Sequence, residues 1–135
     1  MTVTGECFCG KVTYKIDAPL RDARSCHCSR CRKIFSAQAS AYAEVAPGAF
    51  TWLTGEELLK TFETGNGFGV RFCGNCGSPM YSDADAFEGL LFVKSGTLDD
   101  PSGLVPTMEI FCDDAQDWCK FAVQLDRVAK NPPSA

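Results

Sequence analysis

Seven of the chain's nine cysteines fall into three tight groups: Cys7 with Cys9, Cys26 with Cys28 and Cys31, and Cys73 with Cys76. Thiols clustered in this way read as metal ligands or nucleophiles wherever the surroundings are reducing. Residues two apart in a strand share a face, so Cys7 and Cys9 can offer two thiolates to one ion. Cys73-Gly74-Asn75-Cys76-Gly77 reads as a knuckle, with glycines where the chain must turn tightly around a metal. Neither pair closes a tetrahedron alone. Together they supply the Cys₄ set of a structural zinc and staple the start of the chain to a point past its middle. Sites of this kind contribute on the order of 10–16 kcal/mol in zinc-finger peptides, so the metal-free chain is expected to fold poorly.

The segment Cys26-His27-Cys28-Ser29-Arg30-Cys31 is different in kind. Three protein thiolates with a fourth position free is the pattern of a catalytic zinc site. A metal there can bind a substrate thiol, lower its pKa and hold it as a nucleophile. Two zinc ions per chain are therefore expected; iron also accepts thiolates, and zinc is preferred. His27 is the only histidine. A strand-like backbone would turn its ring away from the flanking thiols, either behind the ligands, toward substrate, or simply into solvent. No serine-histidine-acid triad can be built around it. Arg30, Arg32 and Lys33 either offset the negative charge of a trithiolate site and attract an anionic substrate, or form an ordinary solvated loop. Cys112 and Cys119 match no ligand spacing and read as small core residues, with one of them a candidate fourth ligand for the second ion. Phe50, Trp52, Phe62, Phe72 and Phe92 read as core, as does Trp118, which could also help to line a site.

Short strands must position these groups. Residues 4–9 and 11–16 alternate polar with apolar, and Pro19 closes that unit. Residues 36–45 read as a strand ended by Pro47-Gly48, 50–53 as a short strand, and 56–59 as one helical turn. Residues 60–64 lead into Gly65-Asn66-Gly67, where Asn-Gly suits a type I′ hairpin turn. Gly65-Asn66-Gly67-Phe68-Gly69 matches no phosphate-binding pattern. Phe68, Val70 and Phe72 alternate into the Cys73 knuckle. Met80-Tyr81 and Leu90 to Val93 read as strands separated by a loop at Asp83-Ala84-Asp85. Residues 107–112 are a last clear strand and 118–123 a possible short one. The fold class is all-β.

The 135 residues fit a single domain, 1–130, with a frayed tail at 131–135. A formal net charge of −4 disfavours nucleic acid and anionic membranes as partners, because both require a basic face. The N-terminus carries no basic and apolar leader, and no run approaches the roughly 20 apolar residues of a membrane span. A cytoplasmic protein is expected.

Three segments resemble one known family: Gly5-Glu6-Cys7-Phe8-Cys9-Gly10, Cys26-His27-Cys28-Ser29-Arg30-Cys31-Arg32-Lys33, and Phe72-Cys73-Gly74-Asn75-Cys76-Gly77-Ser78-Pro79. They look like the glutathione-dependent formaldehyde-activating family, which includes centromere protein V. Gly96-Thr97-Leu98-Asp99 and Trp118 fit its C-terminal part. The resemblance implies an Mss4-like β-tent wrapped around zinc sites. Cys7, Cys9, Cys73 and Cys76 would hold the structural zinc, and Cys26, Cys28 and Cys31 the catalytic one. It also implies a carbon–sulfur lyase-type reaction that joins glutathione to formaldehyde as S-hydroxymethylglutathione. In many relatives a histidine stands where this chain has Glu109. The competing expectation is a non-catalytic, zinc-stabilised module that binds another protein, as Mss4-like folds can, its second site closed by Cys112, Cys119 or an oxygen side chain. Nucleic-acid binding by analogy with centromere protein V conflicts with the acidic balance.

Overall fold

A computed structural model describes residues 1–119 and 125–130. The described residues build ten strands and one helix: β1 (Val3–Glu6), β2 (Thr13–Ile16), β3 (Arg21–Cys26), α1 (Ser29–Phe35), β4 (Ser40–Val45), β5 (Phe50–Thr54), β6 (Leu59–Glu63), β7 (Phe68–Cys73), β8 (Pro79–Ala84), β9 (Leu91–Lys94) and β10 (Pro106–Ile110). A 3₁₀ turn at Glu56–Leu58 is the single helical turn expected there. The strands form two sheets, a small one in the order β1-β2-β5 and a seven-stranded one in the order β10-β3-β4-β9-β8-β7-β6. All pairings are antiparallel except that of β10 with β3. The fold is mostly β, as an Mss4-like tent requires.

The two sheets pack through their apolar faces. Val3, Tyr14 and Ile16 of the small sheet are buried with Ala43, Val45, Met80 and Val93 of the large one. An aromatic chain ties the layers: Tyr14 stacks on Phe50 at 4.8 Å, and Trp52 stacks on Tyr81 at 5.7 Å between ring centroids. Such contacts add about 0.5–1.5 kcal/mol each beyond the area they bury. The other face of the large sheet is free of this core. Successive residues of a strand point to opposite faces, so the registers Arg24↔Tyr42, Tyr42↔Lys94 and Glu44↔Phe92 place these side chains together on that second face.

Several expectations need correction. Cys7 and Cys9 do not lie in a strand; they sit in the loop that joins β1 to β2. The glycine-rich segment is a hairpin, but not of type I′: Thr64 N–H donates to the Phe68 carbonyl around a three-residue loop, with Gly65 and Gly67 at positive φ. The supposed loop at Asp83-Ala84 is the end of β8. β3 and α1 were not anticipated. Phe62 and Trp118 are exposed rather than core, and Cys112 is exposed and Cys119 half-buried. The possible strand at 118–123 falls partly outside the described residues; Trp118 itself lies in a turn. The tail at 131–135 lies wholly outside them.

Candidate metal centres and the adjoining cavity

Two loops build the first thiol cluster. After β1, the Gly10 N–H donates to the Cys7 carbonyl; after β7, the Gly77 N–H donates to the Cys73 carbonyl. Both glycines have positive φ, 76° and 81°, a conformation that a side chain would oppose at the point where each loop turns under its second cysteine. The Phe8 N–H donates to Ser78 Oγ at 2.9 Å and so locks one loop to the other. Cys7 Sγ lies 3.5 Å from Cys9 Sγ, and Cys9 Sγ lies 3.9 Å from Cys73 Sγ. Zinc–sulfur bonds of about 2.3 Å give a tetrahedron with edges of about 3.8 Å, so these separations fit one ion. They are far too long for a disulfide, and the cysteines are free thiols. Against the penalty of its burial, hydrogen bonds from the side chain and backbone of Ser78 bring the Cys76 thiol down to about 6. The donor set, Cys7, Cys9, Cys73 and Cys76, is one that can hold a metal.

The second cluster forms where β3 runs into α1. Cys26 ends the strand, Cys28 caps the helix, and Cys31 lies in its first turn. The Cys31 N–H donates to Cys28 Sγ at 3.4 Å, an N-cap made by sulfur. The three sulfurs lie within 4.8 Å of one another. Burial pushes the Cys26 thiol up and, with the neighbouring Cys28 and Cys26 sulfurs, raises Cys31 further. Cys28 moves the other way: burial opposes its ionisation, but N–H groups of Cys31 and Arg30 and the adjacent thiols outweigh it. Three thiols so close cannot all ionise unaided, because each new charge repels the last. A cation is the partner that relieves this, and the set fits one. Among the described residues no fourth His, Cys, Asp or Glu completes the group, and neither Cys112 nor Cys119 joins it. Cys119 Sγ instead accepts from Gln38 Nε2 at 3.0 Å.

All three thiols line an open cavity of about 680 Å³ on the second face of the large sheet. The Cys₄ loops do not reach it. The cavity floor is laid out in cross-strand rows. Cys26 pairs with Ser40 in the first row, Arg24 with Tyr42 and Lys94 in the next, and Glu44 with Phe92, Ser82 and Val70 in the third. Helix α1 contributes Arg30, Ile34 and Phe35 to the wall.

Lys94 stands out in this floor. It is only 8% exposed, and its Nζ donates to Ser40 Oγ at 3.2 Å. The same Nζ lies 4.0 Å from the centre of the Phe35 ring and 5.5 Å from that of Tyr42. No carboxylate is within ion-pair distance of it among the described residues. Burial lowers its pKa to about 8, while the sulfurs of Cys31 and Cys26 pull it back up. Lys94 escaped the sequence reading because a lysine after Leu91-Phe92-Val93 looks like a strand end. Its two-residue spacing from Phe92 was the available signal.

The charged residues after the cysteines divide. Arg30 reaches the Thr64 carbonyl and lines the cavity, Arg32 Nε donates to the His27 carbonyl at 3.1 Å, and Lys33 is exposed. His27 is 1% exposed, so it is not a solvated side chain; its Nε2 lies 2.7 Å from Glu109 Oε2. Glu109 pairs in register with Ser25, one residue out of step with Cys26, and so belongs to the face opposite the cavity. His27 and Glu109 are thus brought together, and neither lines the cavity.

A family model described as "Glutathione-dependent formaldehyde-activating enzyme" matches residues 2–114. The chain belongs to this family. Among solved structures, the crystal structure of a Rhodobacter sphaeroides protein, a structural genomics target, superposes with a TM-score of 0.62. It is 26% identical and covers 76% of this chain and 97% of that one. No curated protein sequence matches the chain. Membership in the glutathione-dependent formaldehyde-activating family supports thiol–aldehyde chemistry in broad terms. Among the described residues, no helix is long and apolar enough to cross a membrane.

Proposed function

We propose that the chain is a zinc-dependent carbon–sulfur lyase-type enzyme, one domain over residues 1–130, acting in the cytoplasm on glutathione or another small thiol and its aldehyde adduct. One observation carries this reading: a three-thiol cluster without a fourth protein ligand among the described residues opens onto a cavity large enough for a substrate. Cys7, Cys9, Cys73 and Cys76 would hold a structural zinc away from the cavity. Cys26, Cys28 and Cys31 would hold the second zinc. Bound there, that ion would supply an acidic site at which a thiol sulfur stays ionised at neutral pH.

The surrounding residues do the rest. Arg24, Arg30 and Lys94 put three cationic groups on the cavity wall, against Glu44 as the one acid among the described residues, and so favour an anionic thiol over a neutral one. Lys94 sits one cross-strand row from Cys26. Its ammonium, held by Ser40 and Phe35, is a fixed positive charge for the oxygen that gains charge when sulfur adds to a carbonyl. Ile34, Phe35 and Phe92 exclude water from that end and strengthen the interaction.

The test is metal content and coordination. The purified protein should carry two zinc ions, and X-ray absorption should show one of them gaining a sulfur ligand as glutathione is added. Turnover of glutathione with formaldehyde should be lost in Cys28→Ser. Two ions with four protein ligands each, indifferent to thiols, would sink the enzyme reading and favour a protein-binding module.

A further inference from the structure

The cavity extends beyond the thiol cluster along the large sheet and carries several aromatic rings there. From the row of Cys26 and Ser40 to the row of Phe92 and Val70 is two steps of the pleat. At about 3.4 Å per residue each step is about 7 Å, so some 14 Å of strand separates the Cys26 row from the aromatic row. The third row does not end the cavity. Phe68, one step further along β7, and Phe87, 50% exposed, also line it, whereas Phe111 follows Ile110 at the Cys26 end. Phe87 meets Phe92 edge-to-face at 6.1 Å, and Phe92 meets Tyr42 in the same way at 5.4 Å. An aromatic path therefore runs from the cation row, through the buried Phe92, to the mouth.

A ligand whose sulfur sits at Cys26, Cys28 and Cys31 and whose anionic groups meet Arg24, Arg30 or Lys94 leaves this path empty if its electrophile is a single carbon. The rings of Phe92, Phe87 and Phe68 present a surface that takes no hydrogen bond and suits an apolar group, beside Glu44 and Ser82 as the polar groups of the Phe92 row. The cavity, at about 680 Å³, is also in the range of roughly 300–1,000 Å³ that encloses molecules of many heavy atoms.

We propose that the open site takes thiol adducts bearing an extended apolar group, an alkyl chain or aromatic ring, which lies along Phe92, Phe87 and Phe68. This rests on the reading of Cys26, Cys28 and Cys31 as the place where a thiol sulfur binds. The apolar group can enter on the electrophile or on the thiol, and two ligand series separate these sources.

The experiment is calorimetric titration of the zinc-loaded protein with S-methyl-, S-butyl- and S-hexylglutathione, and separately with ethanethiol, butanethiol and hexanethiol. The expected result is a Kd at least ten-fold lower for S-hexyl- than for S-methylglutathione. Phe92→Ala should flatten that dependence. Phe87→Ala, at the exposed rim where folding is not at stake, should weaken it by several-fold. If chain length matters only among the simple thiols, the apolar group belongs to the thiol and the glutathione assignment falls while the present inference stands. A Kd that varies less than two-fold across both series, or no binding by either, overturns the inference. Sulfur ligation by unmodified glutathione in the absorption experiment is independent of chain length, so the reading of the thiol site succeeds or fails separately.

Discussion

Replacing Lys94 by methionine should make the protein more stable at neutral pH and less able to bind its ligand. The native ammonium is buried with one hydroxyl and two ring faces as partners and no carboxylate among the described residues. The gap between its ordinary value of 10.5 and about 8 corresponds to about 3 kcal/mol spent on keeping the proton in the fold. Methionine has a similar length and no charge to desolvate. Loss of the bond to Ser40 returns about 1 kcal/mol, so Lys94→Met should gain roughly 2 kcal/mol at pH 7. The pH dependence has a fixed sign. Between pH 8 and 10.5 the unfolded chain holds the lysine proton and the folded chain does not, so native stability rises with pH across that window. The advantage of the variant should therefore shrink from pH 8 upward and vanish near pH 10. The assay is urea unfolding of zinc-loaded native and variant proteins at pH 7 and pH 10, read as a difference so that other titrating groups cancel. A variant that is less stable than the native protein at pH 7 would refute the reasoning, since Lys94 would then be held by attraction rather than tolerated.

Cys73→Ser should remove one metal per chain and destabilise the fold by more than about 4 kcal/mol, whereas Cys28→Ser should remove one metal and leave the far-ultraviolet spectrum native; metal analysis with circular dichroism distinguishes them. Gly5→Ala should cost about 1–3 kcal/mol in denaturant unfolding, because a Cβ there would stand 2.2 Å from the Tyr14 hydroxyl and 2.5 Å from the Thr97 carbonyl. Glu109→Ala should lower stability by about 1 kcal/mol in thermal unfolding, a modest figure because the carboxylate that contacts His27 is half exposed to competing water.

The thiol groups were legible because ligand spacing is a local property of the chain. Cys73-Gly74-Asn75-Cys76-Gly77 carries its turn geometry within itself, and the correspondence of Gly10 with Gly77 completes it. The supports of the second cluster were hidden for identifiable reasons. In β3 a bulge at Arg21 to Arg24, with Asp22 at φ 45°, puts the buried residues Ala23 and Cys26 three apart, so no period of two survives to be read. Helix α1 has seven residues and no fully buried position, too short for an apolar stripe. The cavity was invisible for another reason. Its floor is assembled by register between strands distant in sequence, and register is set by pairing that no local pattern records.

The same register explains why one short segment can serve two faces. Cys26 faces the cavity beside Ser40, while the next residue, His27, is buried against Glu109, which belongs to the opposite face. The His27 N–H also donates to the Ile110 carbonyl at 3.0 Å. β10 therefore grips the chain between the first two thiols of the trio, by backbone on one residue and by carboxylate on its neighbour. Cys28 is in turn fixed by the helix it caps, and the His27 carbonyl by Arg32. The three sulfurs converge because a parallel edge strand, a helix cap and an arginine each fix one bond of the turn between Cys26 and Cys31. The three thiols line the cavity because the rest of that turn is already held from behind.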